Sequence, residues 1–164
     1  IVTLSEAKRQ LNILDNSEDD SHIQLLIDAA SASAQSYTGR MLSKGVVNIL
    51  TSGYQEISLP YGEVTEAENA IVTTVTGDVI EATFEPITQI LTIADGAITE
   101  TDKVKVTYDA GYADDQVPHS VKIGVLMIIS TMYENREDIV VGLIVNKVPE
   151  GSKQYLDCVK LQEI

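Results

Sequence analysis

With 164 residues, one cysteine, two histidines and a formal net charge of −14, this chain has the size of one domain, able to bury about 70% of its unfolded surface without disulfides or metals. Cys158 alone forms no internal disulfide and His22 and His119 are too few for a zinc module. That excludes a disulfide-built scaffold and a zinc fold, and makes a reducing, cytoplasmic origin the expectation. The charge is concentrated: Gly45 to Asp102 carries ten acidic residues and no Lys or Arg. This disfavours groove-type binding of nucleic acid and suits either an acidic solvated surface or a wall that repels DNA.

In chain order, Ile1-Val2 leads straight into Thr3-Leu4-Ser5-Glu6, with no basic or long apolar leader. Thr3 and Glu6 have capping-box spacing, which predicts a helix from Leu4, with Leu4, Ala7, Leu11 and Leu14 on one stripe. The acidic run Asp15 to Asp20 breaks it, and Ser17 with the carboxylates after it suits the positive end of a second helix. A calcium loop does not fit: its sixth position, where glycine is required, is Asp20, and no bidentate Glu follows at the twelfth. The second helix places Ile23, Leu26, Ile27, Ala30, Ala34 and Tyr37 on a stripe and ends at Gly39, a left-handed cap, with Arg40 beside the negative helix end. His22 reads as solvated or capping.

After Gly45 the apolar period changes from helical to alternating. Val46–Thr51 and Tyr54–Leu59 around Ser52-Gly53, closed by Pro60-Tyr61-Gly62, read as a hairpin. Ile71–Thr76 and Val79–Phe84 around Gly77-Asp78 read as a second. Ile87–Ile93 and Lys103–Tyr108, joined through Asp95-Gly96, form a third set. Val117 to Asp138 then predicts a helix opened by Pro118 with almost no solvent face, since Val121, Ile123, Val125, Leu126, Met127, Ile128, Ile129 and Met132 cover nearly every angle. Its apolar run is too short to span a bilayer. Its end, Tyr133-Glu134-Asn135-Arg136, has residue types common at protein contacts. Ile139–Val145 reads as a strand or extended arm. Pro149 opens a short helix in which Tyr155, Leu156 and Val159 share a stripe and Cys158 is expected to be a buried, inert thiol.

The fold expected is α+β: helical N- and C-terminal parts forming a small bundle around a mostly antiparallel β insert of hairpins or a small sandwich. Its parts are 1–44 (N-terminal helices), 45–112 (acidic β insert), 117–138 (central helix) and 139–164 (C-terminal arm and short helix) within one domain of 1–164. No phosphate loop, nucleophile elbow, HExxH or CxxC occurs, so neither an enzyme nor a cofactor-binding protein is expected.

Three stretches resemble the bacteriophage head-tail connectors, the neck adaptors of long-tailed phages. Thr3 to Leu14, the acidic break and Ile23 to Tyr37-Thr38-Gly39-Arg40 are similar to that family's short helix, acidic turn and long helix ending YTGR. Val106 to Tyr112 with Val117-Pro118 is similar to its strand ending TYxAGY with VP before a helix, and Tyr133 to Glu137 to its YENRE helix end. Gly45 to Asp102 carries no family motif, and the tail after Arg136 matches only loosely.

The resemblance implies a non-enzymatic virion neck protein, assembled in the host cytoplasm. It would form a homo-oligomeric ring, commonly of twelve copies, between the portal protein and a downstream neck or tail-completion protein. DNA would pass through its channel without sequence-specific binding. Closing a ring requires one patch to meet a different patch on the neighbour. The candidates are Arg40, Tyr133, Glu134, Asn135 and Arg136, with Ile139, Val140, Val141, Tyr155 and Leu156 in the segment expected to meet the portal. The alternatives are a tail-completion or other morphogenesis protein and an acidic DNA-mimicking inhibitor. The β alternation scatters the carboxylates that the inhibitor would need on one face.

Overall fold

The computed structural model describes residues 1–13, 17–52, 56–60, 70–85, 89–94, 98–99, 102–113, 115–135 and 148–161. Helices at the two chain ends flank a central antiparallel β region. The chain divides into a helical unit, Ile1–Leu42 with Gln116–Ile164, and a β unit, Ser43–Asp115. Leu14, Gly53, Tyr54, Tyr61-Gly62, Ile87, Asp95-Gly96 and the Ile139–Val145 run lie outside the described residues.

The helical unit holds α1 (Leu4–Gln10), α2 (Asp20–Thr38), α3 (His119–Glu134) and α4 (Glu150–Leu156), the last followed by a 3-10 turn, Asp157–Val159. The capping box forms: the Glu6 amide donates to Thr3 Oγ1 at 3.2 Å and the Thr3 amide to Glu6 Oε2 at 2.7 Å. α1 stops sooner than its apolar spacing predicts, because Asn12 takes a left-handed φ of 58°, a conformation its short polar side chain tolerates. α2 begins at Asp20 with Asp19 as cap, two residues beyond Ser17. Pro118 and Pro149 are caps in extended conformation, each one residue before its helix.

The core of this unit includes Ala7, Ile23, Ile27, Ala30, Ala34, Val121, Val125, Ile128, Ile129 and Leu156. α3 is less enclosed than its composition predicts: Ile123 is 43% exposed, and Lys122 beside it reaches Glu6 Oε1 at 3.4 Å. Small residues set how closely α4 approaches α3. A Cβ on Gly124 would lie 3.0 Å from both Cγ and Cδ2 of Leu156, so the leucine occupies the notch that the glycine leaves.

The capping box makes one acid-sensitive element. The hydrogen bond from the Thr3 amide holds the Glu6 carboxyl below its ordinary value of 4.5 against the opposing effect of desolvation, and the Thr3 hydroxyl and the Lys122 charge lower it further. A depressed folded-state value contributes stability above the ordinary value and loses it as pH falls through the folded one. Thr3→Ala is therefore expected to destabilise the helical unit by about 1 kcal/mol at neutral pH. The gap between wild type and Glu6→Ala is expected to close as pH falls from above the ordinary value of 4.5 through the lowered folded one. Urea melts at several pH values check this, and a gap that stays constant in acid would refute it.

The β unit contains two antiparallel sheets. One is four-stranded in the order β1 (Gly45–Ser52), β7 (Lys103–Ala110), β3 (Ile71–Thr74), β4 (Val79–Ile80); the other runs β2 (Glu56–Ser58), β6 (Ile90–Ile93), β5 (Ala82–Glu85). Of the three expected strand pairs, the one found among the described residues is β3–β4, with Thr73 opposite Val79. β1 pairs along its whole length with β7, Gly45 opposite Ala110 through Ser52 opposite Lys103, while β2 pairs with β6. The eight-residue β1 finds an equally long partner in β7, whereas β2 offers three residues among those described. The third set is likewise split between the sheets, and the chain passes from one sheet to the other at Glu81, between β4 and β5.

Each sheet buries one face: Val47, Val72, Ile80, Val104, Val106, Tyr108 and Ala110 in the first, Ile57, Leu91 and Ile93 in the second. Tyr108 ties the sheets together, its Oη donating to the carbonyl of Pro60, just beyond β2, at 2.7 Å. Gly111 closes β7 at φ 98° against the strand that enters β1, where Lys44 N donates to the Tyr112 carbonyl at 2.9 Å. The strand ending Thr107-Tyr108-Asp109-Ala110-Gly111-Tyr112 is thus a device for sheet bridging and strand closure.

Candidate assembly surfaces

The end of α2 is a clamp on the C-terminal segment. Tyr37 Oη donates to Asp157 Oδ1 at 2.7 Å, which also raises the phenol above its ordinary value. Lys160 Nζ lies 4.6 Å from the centre of the Tyr37 ring. Thr38 is buried, its hydroxyl donates to the Ala34 carbonyl, and its own carbonyl accepts from Leu161 N at 2.9 Å. Gly39, at φ 68°, provides the left-handed turn after the helix and sits against Leu161. Arg40 is half-buried, and its Nε has no hydrogen-bond partner among the described residues.

The end of α3 is partly committed internally. Tyr133 is half-buried, donates from Oη to Asp19 Oδ2 at 3.1 Å, and has its ring centre 6.3 Å from that of His22. His22 is consequently half-buried against an aromatic ring instead of solvated. Lys8 pairs with Asp20 at 2.7 Å, so the acidic turn fastens α1 and α3 to the start of α2. Glu134 and Asn135 are exposed, and Asn135 Nδ2 donates back to the Thr131 carbonyl at 2.9 Å. Arg136, Ile139, Val140 and Val141 lie outside the described residues.

Tyr155 is 39% exposed, whereas Leu156 is fully buried in the chain's own core and leaves no side-chain surface for a partner. Cys158, expected inside, is exposed; its Sγ donates to the Tyr155 carbonyl at 3.0 Å. Cys158 comes two residues after the buried Leu156, about 200° around the axis at α-helical spacing, which puts the thiol on the side away from the buried stripe. A groove of about 820 Å³ runs between α2, α3 and the start of α4, lined by Ala32, Tyr37, Ile128, Met132, Asn135 and Lys153 among others. It brings Asn135 near the Tyr-Thr-Gly-Arg end of α2, and leaves Tyr133 on the other junction.

The sequence reading missed the outward face of the four-stranded sheet. Val46 and Leu50 of β1, Ile71 of β3 and Val79 of β4 are all at least half exposed, and the exposed Lys103 and Lys105 lie on β7 between them. The register puts Leu50, Lys105, Thr73 and Val79 in one cross-strand row. The alternation of Lys103, Lys105 and Thr107 marks that face in the sequence, but which apolar residues lie beside it depends on strand order.

Among the described residues, no group of three or more His, Cys, Asp or Glu could hold a metal ion, and no helix is long and apolar enough to cross a membrane.

The fold is shared with chains of gene transfer agent particles. A chain in the neck of an empty gene transfer agent particle, computed with C6 symmetry, superposes with a TM-score of 0.78 at 16% identity, covering 99% of this chain and 91% of that one. A chain of the native gene transfer agent virion gives 0.75 at 15% identity, with 99% and 91% covered. A chain in the native neck computed with C12 symmetry gives 0.72 at 14% identity, with 100% and 93% covered. A search of curated proteins gives no match. The family of Phage gp6-like head-tail connector proteins matches residues 1–159. The chain belongs to that family: it is a structural protein of the connection between head and tail.

Proposed function

We propose that this chain forms a ring in the virion neck, seated between the portal protein and the next neck or tail-completion protein, and that it extends the DNA channel without catalysing a reaction. The observation that carries this reading is the match of the connector family along nearly the whole chain. The close similarity of fold to a neck chain computed with C12 symmetry supports a ring of twelve copies. The net charge of −14 suits a channel that repels the DNA backbone and lets it slide. A ring of like subunits with that charge gains from a partner that holds it together, so assembly is expected to depend on the portal.

Light scattering during size-exclusion chromatography, on the protein alone and mixed with the portal protein of the same genome, tests the reading. The expected result is a species carrying close to twelve times the 17.8 kDa chain mass, alone or on the portal. A monomer that does not bind the portal would overturn it.

A further inference from the structure

We propose that neighbouring copies in the ring meet through their β units, the outward face of the four-stranded sheet of one copy packing on the outward face of the three-stranded sheet of the next. This rests on the ring reading above. A cyclic ring of identical subunits needs a heterologous contact, two unlike patches that complement each other. The β unit displays such a pair.

The first patch is apolar and basic. Solvated faces of antiparallel sheets are ordinarily polar, yet here Leu50 is 63% and Val79 75% exposed, on either side of Lys105. Lys103 follows two residues away on the same side of β7. Neither lysine has a carboxylate partner among the described residues, while Asp109 closes the far end of the face. Large aliphatic side chains left exposed on both edges of the sheet, with lysines that lack carboxylate partners among the described residues between them, make this a face suited to contact.

The second patch is acidic and polar. Its three strands fall within the Gly45–Asp102 stretch that lacks Lys and Arg, so the face cannot neutralise itself. Glu56, Thr92 and Thr83 form one outward row, and Ser58, Ile90 and Glu85 the next. Both glutamates are exposed without a basic partner among the described residues. Bringing the faces together sets Lys103 and Lys105 against carboxylates and covers the apolar residues around them. Two lysine faces brought together would instead repel, which disfavours a symmetric pair and selects the head-to-tail contact. The occupant of each patch is therefore a second copy of this chain.

The test is a charge swap measured in the presence of the portal. Lys103→Glu with Lys105→Glu, and separately Glu56→Lys with Glu85→Lys, are each expected to lower the fraction of ring-sized species roughly tenfold or more. The chain carrying all four substitutions is expected to recover it, because the two faces are again opposite in sign. Assembly of either reversed pair at the wild-type level, or a folded four-fold variant that does not recover, would overturn the proposal. Circular dichroism melts report folding. Should a reversed pair not fold, Leu50→Ser with Val79→Ser, at exposed positions, carries the same expectation of lost assembly and the same refutation. A wild-type protein that forms no ring defeats the ring reading itself, whereas a wild-type ring indifferent to these substitutions defeats only the contact assigned here.

Discussion

Gly111→Ala is expected to destabilise the β unit by about 3 kcal/mol or more. Two causes add. The backbone sits at φ 98°, where an L side chain is strained by roughly 1–3 kcal/mol. The added Cβ would also lie 2.2 Å from the Ser43 carbonyl oxygen and 2.6 Å from its carbon. These are backbone atoms, so no rotamer change relieves the overlap. Nor can the segment move freely, since Lys44 N is bonded to the Tyr112 carbonyl and the first rung of the β1–β7 ladder, Gly45 opposite Ala110, follows directly.

Gly77 separates the two causes. Its φ of 99° is nearly the same, but nothing lies within 4 Å of its added Cβ, so Gly77→Ala carries only the conformational strain of roughly 1–3 kcal/mol. Urea denaturation combined with amide exchange at β1 and β7 gives both numbers. Equal costs at the two glycines would show that the clash with Ser43 is relieved and the argument is wrong.

Leu156→Ala is expected to cost about 2–5 kcal/mol and to release α4 before the rest of the helical unit unfolds. Leu156 is fully buried over Gly124, so truncation leaves a cavity against α3. α4 has seven residues, too few to persist alone, so its order depends on this packing, on the buried Ser152, whose hydroxyl donates to the Pro149 carbonyl, and on the Tyr37–Asp157 hydrogen bond. Tyr155→Ala, one residue away but exposed, is expected to cost less than about 1 kcal/mol.

A size exchange sharpens the test. Gly124→Ala alone overpacks the contact by about 1–3 kcal/mol, but combined with Leu156→Ala its methyl occupies part of the vacated space, so the two changes should not add. Strict additivity in the double variant, or retained exchange protection of α4 in Leu156→Ala, would show that the leucine is not what holds the helix.

Local chemistry made much of this protein legible in its sequence. Thr3 and Glu6 lie one helical turn apart and cap whatever follows, and Gly39 can adopt φ 68° wherever α2 packs. The alternation from Val46 onward belongs to extended backbone because its period is two, and the Thr38 and Gly39 turn serves a local need. The Gly111 closure against Ser43 and the Tyr133 anchor on Asp19 join residues far apart in the chain, and their motifs were legible through the resemblance to the connector family.

Tertiary structure alone decided the rest. A strand's side-chain period shows that it has two faces but not which strand lies beside it. The pairing of β1 with the distant β7 joins two strands of matched length and buries Val47, Val104, Val106 and Tyr108 together. The same choice left Leu50 and Val79 exposed beside Lys105. At the other end of the chain, packing over Gly124 buries Leu156, while Cys158, two residues on, is exposed. Sequence determined the elements and their caps, because those depend on neighbours within a few residues. Strand order and the composition of the exposed faces depend on residues far apart in the chain, and only the packed fold brings those together.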